Sequence, residues 1–185
     1  MFLGIPDQVE GRVARLEDAP LPEGAPVPLP LLEKAIPPQL PAAAALFNRG
    51  DVRRASIPAG GGIMNARDLA RFYASLATGV DGVRLLSPKR IALVAREQRR
   101  DMDQVLGLEI RKGLGYFLPG ANAESLSVSP SSFGHPGAGG SVGYADPENG
   151  LAVGFAKTRL VSPIDPKTAA GVKVTERIRQ VLGIR

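Results

Sequence analysis

The sequence predicts an α+β fold in which helices come first, an antiparallel sheet comes next, and a C-terminal helix packs on that sheet. Three observations carry this expectation. Leu69, Phe72, Tyr73 and Leu76 recur at steps of three and four residues, the period of a helix with one buried face. After Gly107 the period changes, and Val142 to Ala145 and Leu151 to Ala156 read as a β-hairpin closed by Asp146-Pro147-Glu148-Asn149-Gly150. From Lys167 to Leu182, Val172, Val174, Ile178, Val181 and Leu182 are interspersed with basic residues, an amphipathic helix suited to covering one sheet face.

Residues through about Leu16 have room for one strand or helical turn, after which Pro20, Pro22, Pro26, Pro28 and Pro30 disfavour regular pairing and favour an extended path. Pro37, Pro38 and Pro41 close that region, so residues 1–41 form an N-terminal segment with a proline-rich linker and 42–185 the main domain. Ala42 to Phe47 suits a brief helix before an Asn48-Arg49-Gly50-Asp51 turn. Ala59-Gly60-Gly61-Gly62 is a loop; no Gly-Lys-Ser/Thr comes after it, which favours a structural loop over a phosphate cradle. Asn65, with Asp68 three residues on, caps a helix from about Ala66 to Leu76 that turns Arg67, Asp68 and Arg71 outward. Ser87-Pro88 starts a second helix, cap then proline, reaching about Gln98, with the Arg96 to Arg100 run as its solvated end. Leu108, Ile110, Leu114, Tyr116 and Leu118 suggest short strands broken at Gly113.

Composition narrows the chemistry. A chain of 185 residues, 44% hydrophobic, is long enough to bury one ordinary core. With no Cys and His135 as the one histidine, disulfides, thiolate sites and a cysteine nucleophile are excluded, and no metal or other cofactor is expected. Catalysis must then use hydroxyl, carboxylate or backbone groups. The net charge of +5 is diffuse: Arg96 to Arg100 contains Glu97 and runs into Asp101 and Asp103, and aromatics at 5% offer no stacking series, which argues against nucleic acid as a partner. Met1-Phe2-Leu3-Gly4-Ile5 is too short for a signal segment, and no apolar run reaches membrane-spanning length, so the chain is expected in the cytoplasm.

The stretch Phe133-Gly134-His135-Pro136-Gly137-Ala138-Gly139-Gly140-Ser141-Val142-Gly143-Tyr144 supports two readings. Gly139-x-Ser141-x-Gly143 matches the nucleophile elbow of α/β-hydrolases, which would make Ser141 the nucleophile of an esterase. The residues after Gly143 read as strand and turn rather than helix, however, and His135 precedes the serine, whereas that fold places its histidine last.

In the other reading, His135-x-Gly137 resembles the third motif of the β-lactamase and penicillin-binding-protein family, the Lys-Thr-Gly element that the class C and esterase branch often replaces with His-x-Gly. Pro58 to Phe72 resembles the family's Pro-x-Gly-Gly-Gly loop and the helix after it, Leu85-Leu86-Ser87-Pro88 its next helix start, and Gly113-Leu114-Gly115-Tyr116 the strand before the third motif. These ordered matches cover most of the chain from about residue 40. The resemblance implies part of the β-lactamase/transpeptidase-like fold, with His135 at the lysine position, Gly137 keeping the wall open, and the Ala138 N–H as one of two oxyanion-hole donors. It also implies that Pro136, Gly139, Gly140 and Ser141 line the substrate side. Pro136 stands where the family has a hydroxyl residue and removes two donors, so the implied substrate is a small ester or amide without a β-lactam carboxylate.

The family's Ser-x-x-Lys and Tyr-x-Asn are absent. Ser87 with Arg90 comes nearest to the first, but a guanidinium stays protonated and Ser87 has a capping role. The family places both motifs upstream, so the chain is expected to be the C-terminal portion alone, catalytically silent, marginally stable, and able to pair with a complementary N-terminal fragment. A non-catalytic binding module of the same fold and a basic polyanion-binding protein are the alternatives; the last predicts salt-dependent retention on heparin.

Overall fold

The computed structural model describes residues 1–20, 30–37, 39–120, 129–161 and 169–184. The prolines at 22, 26, 28 and 38 and the expected start of the last helix at Lys167 lie outside them.

An antiparallel sheet organises the chain. Strands β6 (Phe133–Pro136), β7 (Val142–Asp146) and β8 (Leu151–Phe155) pair in that order, with Gly134 opposite Tyr144 and Tyr144 opposite Val153. The hairpin of β4 (Arg99–Asp103) and β5 (Leu108–Lys112) joins it through Phe117, which bridges Lys112 on one side and Gly134 on the other. Period-two alternation then sorts the side chains. Val142, Tyr144, Val153 and Phe155 face one side; Gly143, Ala145, Ala152 and Gly154 face the other.

Helix α4 (Ala66–Ala77) lies on the second face. The Asn65 side chain caps it by accepting from the Asp68 N–H at 2.8 Å, as the spacing predicts. Tyr73, Leu76 and Ala77 enter a core with Ile91, Leu118, Phe133 and Ala145. The approach is close because Gly143 and Gly154 sit opposite each other in the ladder under the helix. A Cβ on Gly143 would fall on the Tyr73 ring, and one on Gly154 would lie 2.7 Å from the Ala70 amide nitrogen.

Helix α6 (Ala170–Leu182) covers the first face, where Val172 is buried and Ile178 packs against Tyr144 and its neighbours. Its coverage stops early: Val181 and Leu182 are 69% and 57% exposed. Gly171 is the point of closest approach, its absent Cβ 3.2 Å from Val142 Cγ1 and 3.8 Å from the Gly140 carbonyl oxygen. Among the described residues β8 pairs with β7 alone, so its outer edge is unpaired.

The N-terminal region is tied in by short ladders. Strand β1 (Phe2–Leu3) pairs with β3 (Gly62–Ile63), and β2 (Glu17–Asp18) runs parallel to β9 (Arg159–Leu160). The Asp18 carboxylate accepts from the Ala44 N–H at the start of α2 (Ala43–Phe47).

Three local expectations are corrected. Helix α5 (Pro88–Val94) ends four residues before Gln98, and Arg99 and Arg100 open a strand rather than close a helix. Strand β4 contains no β-branched or aromatic residue, and cross-strand charge supports it instead, with Arg100 Nε 2.9 Å from Glu109 Oε1. Gly50 and Asp51, expected in the Asn48 to Asp51 turn, instead begin the short helix α3 (Gly50–Arg54). Pro30, expected in extended chain, begins helix α1 (Pro30–Ala35), a first-turn position that needs no amide hydrogen.

Candidate functional site

The site is a strand end and the turn beyond it. Strand β6 is held on one side by Phe117, whose N–H donates to the Gly134 carbonyl at 2.8 Å, and on the other by β7. Gly134 is obligatory here, because any Cβ would collide with the Gly143 carbonyl and the Tyr144 side chain. The strand therefore carries His135 and Pro136 to the rim, with Pro136 opposite Val142 and His135 exposed. The imidazole Nδ1 lies 2.6 Å from the Pro136 carbonyl oxygen, and the ring meets Phe117 edge to face at a centroid distance of 4.8 Å. The Lys112 ammonium sits 4.6 Å from the centre of the same phenyl ring.

The chain then reverses. The Gly137 N–H donates to the Ser141 carbonyl at 2.7 Å and the Gly140 N–H to the Gly137 carbonyl at 3.1 Å, closing a tight turn. Gly139 and Gly140 adopt φ of +85° and +100°, a backbone that side chains rarely allow. Gly139 is also buried against Leu160, and its carbonyl accepts from the Val161 N–H at 3.1 Å, which fixes the turn from below. At the crest Ala138 is exposed, and its N–H makes no hydrogen bond among the described residues. An unengaged N–H on an exposed residue of such a turn is free to donate to an incoming oxyanion.

His135, Gly137 and Ala138 are thus brought together at one rim. Gly139 and Gly140 form the base of the turn. Ser141 points elsewhere: it is half-buried and its Oγ accepts from the Lys157 N–H at 3.2 Å. It leads into strand β7, not a helix, so the elbow geometry that would expose a nucleophile is absent.

Phe117, Lys112 and Tyr73 were not legible as site residues. Phe117 comes directly after Gly113-Leu114-Gly115-Tyr116, and its place beside that stretch is the one signal for it. Tyr73 packs beneath Gly143, and the His135 backbone N–H approaches its hydroxyl; burial dominates and pushes the phenol pKa well above its usual value. Ser87 caps α5, its Oγ accepting from the Arg90 N–H at 3.3 Å. Among the described residues no cluster of three or more His, Asp or Glu is arranged to hold a metal, and no helix is long and apolar enough to cross a membrane.

The chain as a whole is similar to known proteins. The chain is 38% identical over 144 residues to the esterase/beta-lactamase LipL of Mycobacterium tuberculosis (strain ATCC 25618 / H37Rv), covering 75% of this chain and 32% of that protein. It superposes on the structure of EstA from Arthrobacter nitroguajacolicus Rue61a with a TM-score of 0.83 and 26% identity, covering 98% of this chain and 49% of that one. A family VIII carboxylesterase gives a TM-score of 0.76 and 31% identity over 95% of this chain and 46% of its own. The chain therefore spans about one third to one half of the length of these relatives. Residues 1–175 match the family model described as Beta-lactamase, and the chain, with its β-lactamase/transpeptidase-like fold, belongs to the beta-lactamase family.

Proposed function

We propose that this chain is the C-terminal portion of a beta-lactamase-family serine hydrolase that cleaves a small ester or amide through an acyl-enzyme. The observation that carries this reading is the nearness of an exposed His135 at the end of β6 to an exposed Ala138, with an unengaged N–H, on the turn that follows it. His135 orients substrate, Gly137 keeps the rim low, and Ala138 supplies one oxyanion donor. Pro136 offers no donor to a β-lactam carboxylate, which favours ester and amide substrates. The nucleophile and its base come from polypeptide carrying Ser-x-x-Lys and Tyr-x-Asn, docked on the unpaired edge of β8 and the uncovered end of α6.

The test is complementation. The purified chain is expected to show no turnover of a chromogenic short-chain ester or a chromogenic cephalosporin. Mixed with an N-terminal segment bearing those motifs, it is expected to hydrolyse the ester, and His135→Ala to lower that kcat/KM by about 10²-fold. Robust turnover by the chain alone, abolished by Ser141→Ala, would overturn the reading.

A further inference from the structure

We infer that the Pro136 carbonyl and Phe117 lock His135 in its Nδ1–H tautomer, so that Nε2 presents a lone pair at the rim and acts as a hydrogen-bond acceptor. The inference rests on the hydrolase reading for what approaches that lone pair, but not for the tautomer itself.

The geometry leaves one neutral arrangement. A carbonyl oxygen can only accept, so the 2.6 Å contact between Nδ1 and the Pro136 oxygen requires the proton on Nδ1. Neutral imidazole has one N–H, and Nε2 is then unprotonated. Turning the ring over would put a carbon against that oxygen and forfeit the hydrogen bond. Phe117, edge to face at 4.8 Å and 90°, restricts the ring, and Lys112 over the phenyl group limits the retreat of Phe117 in turn. Pro136 is itself held in place by its neighbours, registered opposite Val142 and followed by Gly137, whose N–H donates to the Ser141 carbonyl. Nε2 meets no hydrogen-bonding group among the described residues. Phe117 and Pro136 are therefore positioning residues for His135.

An ammonium at this position would donate and attract carboxylates. A neutral imidazole with Nε2 outward does the reverse: it accepts from a hydroxyl or amide N–H and offers a carboxylate nothing. The matching ligand class is a neutral molecule with a hydroxyl or amide hydrogen at the rim, such as a free substrate hydroxyl, a released alcohol or an attacking water.

Because His135 is the one histidine, its ring nitrogens can be assigned without ambiguity in the ¹⁵N-labelled chain. Long-range ¹H–¹⁵N imidazole correlation, recorded on the alkaline side of the ring's titration, is expected to show a pyrrole-type Nδ1 and a pyridine-type Nε2. Free histidine in water prefers the opposite tautomer, so a spectrum dominated by Nε2–H, or averaged as in the free amino acid, overturns the inference. Phe117→Leu is expected to return the population toward the free-histidine ratio while Gly134 stays paired; an unchanged population removes Phe117 from the device. Neither result depends on turnover, so failure of the hydrolase reading and failure of this one are separately visible.

Discussion

Asp146 and Arg179 face each other across the sheet–helix interface, Oδ2 to Nη1 at 3.8 Å, with side chains 0% and 7% exposed. The carboxylate also accepts from Ser129 Oγ at 3.0 Å, Ser131 Oγ at 2.5 Å and Asn149 Nδ2 at 2.8 Å. One buried anion thus ties the β7–β8 turn, the 129–131 segment and α6 together. Removing one member of a buried pair leaves the other charged and desolvated, which costs about 3–5 kcal/mol. Asp146→Ala is expected to lower the urea midpoint accordingly, or to abolish folding in a chain of ordinary stability. A loss under about 1 kcal/mol would show that water reaches the pair.

The glycine pair under α4 makes a second prediction. Gly154→Ala forces a methyl onto the Ala66 and Ala70 backbone, which cannot give way, whereas Gly143→Ala meets the Tyr73 ring. Overpacking of this kind costs about 1–3 kcal/mol. Both variants should be destabilised in chemical denaturation, Gly154→Ala more than Gly143→Ala; the reverse order would mean that the helix, not the ring, is the softer neighbour.

Loss of the α4 cap should be milder. Asn65→Ala removes the acceptor for the Asp68 N–H and is expected to cost about 1 kcal/mol, read from the same denaturation curves, while Asn65→Asp should be close to neutral.

The buried phenols set the alkaline limit. Burial raises the pKa of Tyr73 and of Tyr144 in the folded chain. Folding then holds protons that the unfolded chain releases above its tyrosine pKa of about 10, so stability is intact below that pH and falls as pH rises beyond it. Phenolate absorbance from these two residues should emerge together with loss of circular dichroism. Their titration near pH 10 with the fold intact would contradict the packing around them.

Much of the fold was legible because period and punctuation agreed. Asn65 with Asp68, Ser87 with Pro88, and the Asp146 to Gly150 turn each set one end of an element, and the structure places those ends at the expected residues. Strand β4 was not legible, since Arg99, Arg100, Asp101 and Asp103 make their contribution through charge pairs that propensity does not register. At the site, the sequence pointed to the His135–Gly137 rim through its likeness to a known motif. Apart from the place of Phe117 directly after Tyr116, it held no sign of the Phe117 contact, because pairing between neighbouring segments depends on register, which only the assembled ladder sets.

Gly171 gives the C-terminal helix a part in all this that its distance along the chain conceals. With the methyl-sized space beside it pressed against Val142 and the Gly140 carbonyl, the helix works as a shim under the Gly137–Ser141 turn. Engineering at the tail, whether a fused tag that tugs on the helix or a bulky replacement at that glycine, would tilt the rim itself, and a recombinant version should carry its handle at the other terminus.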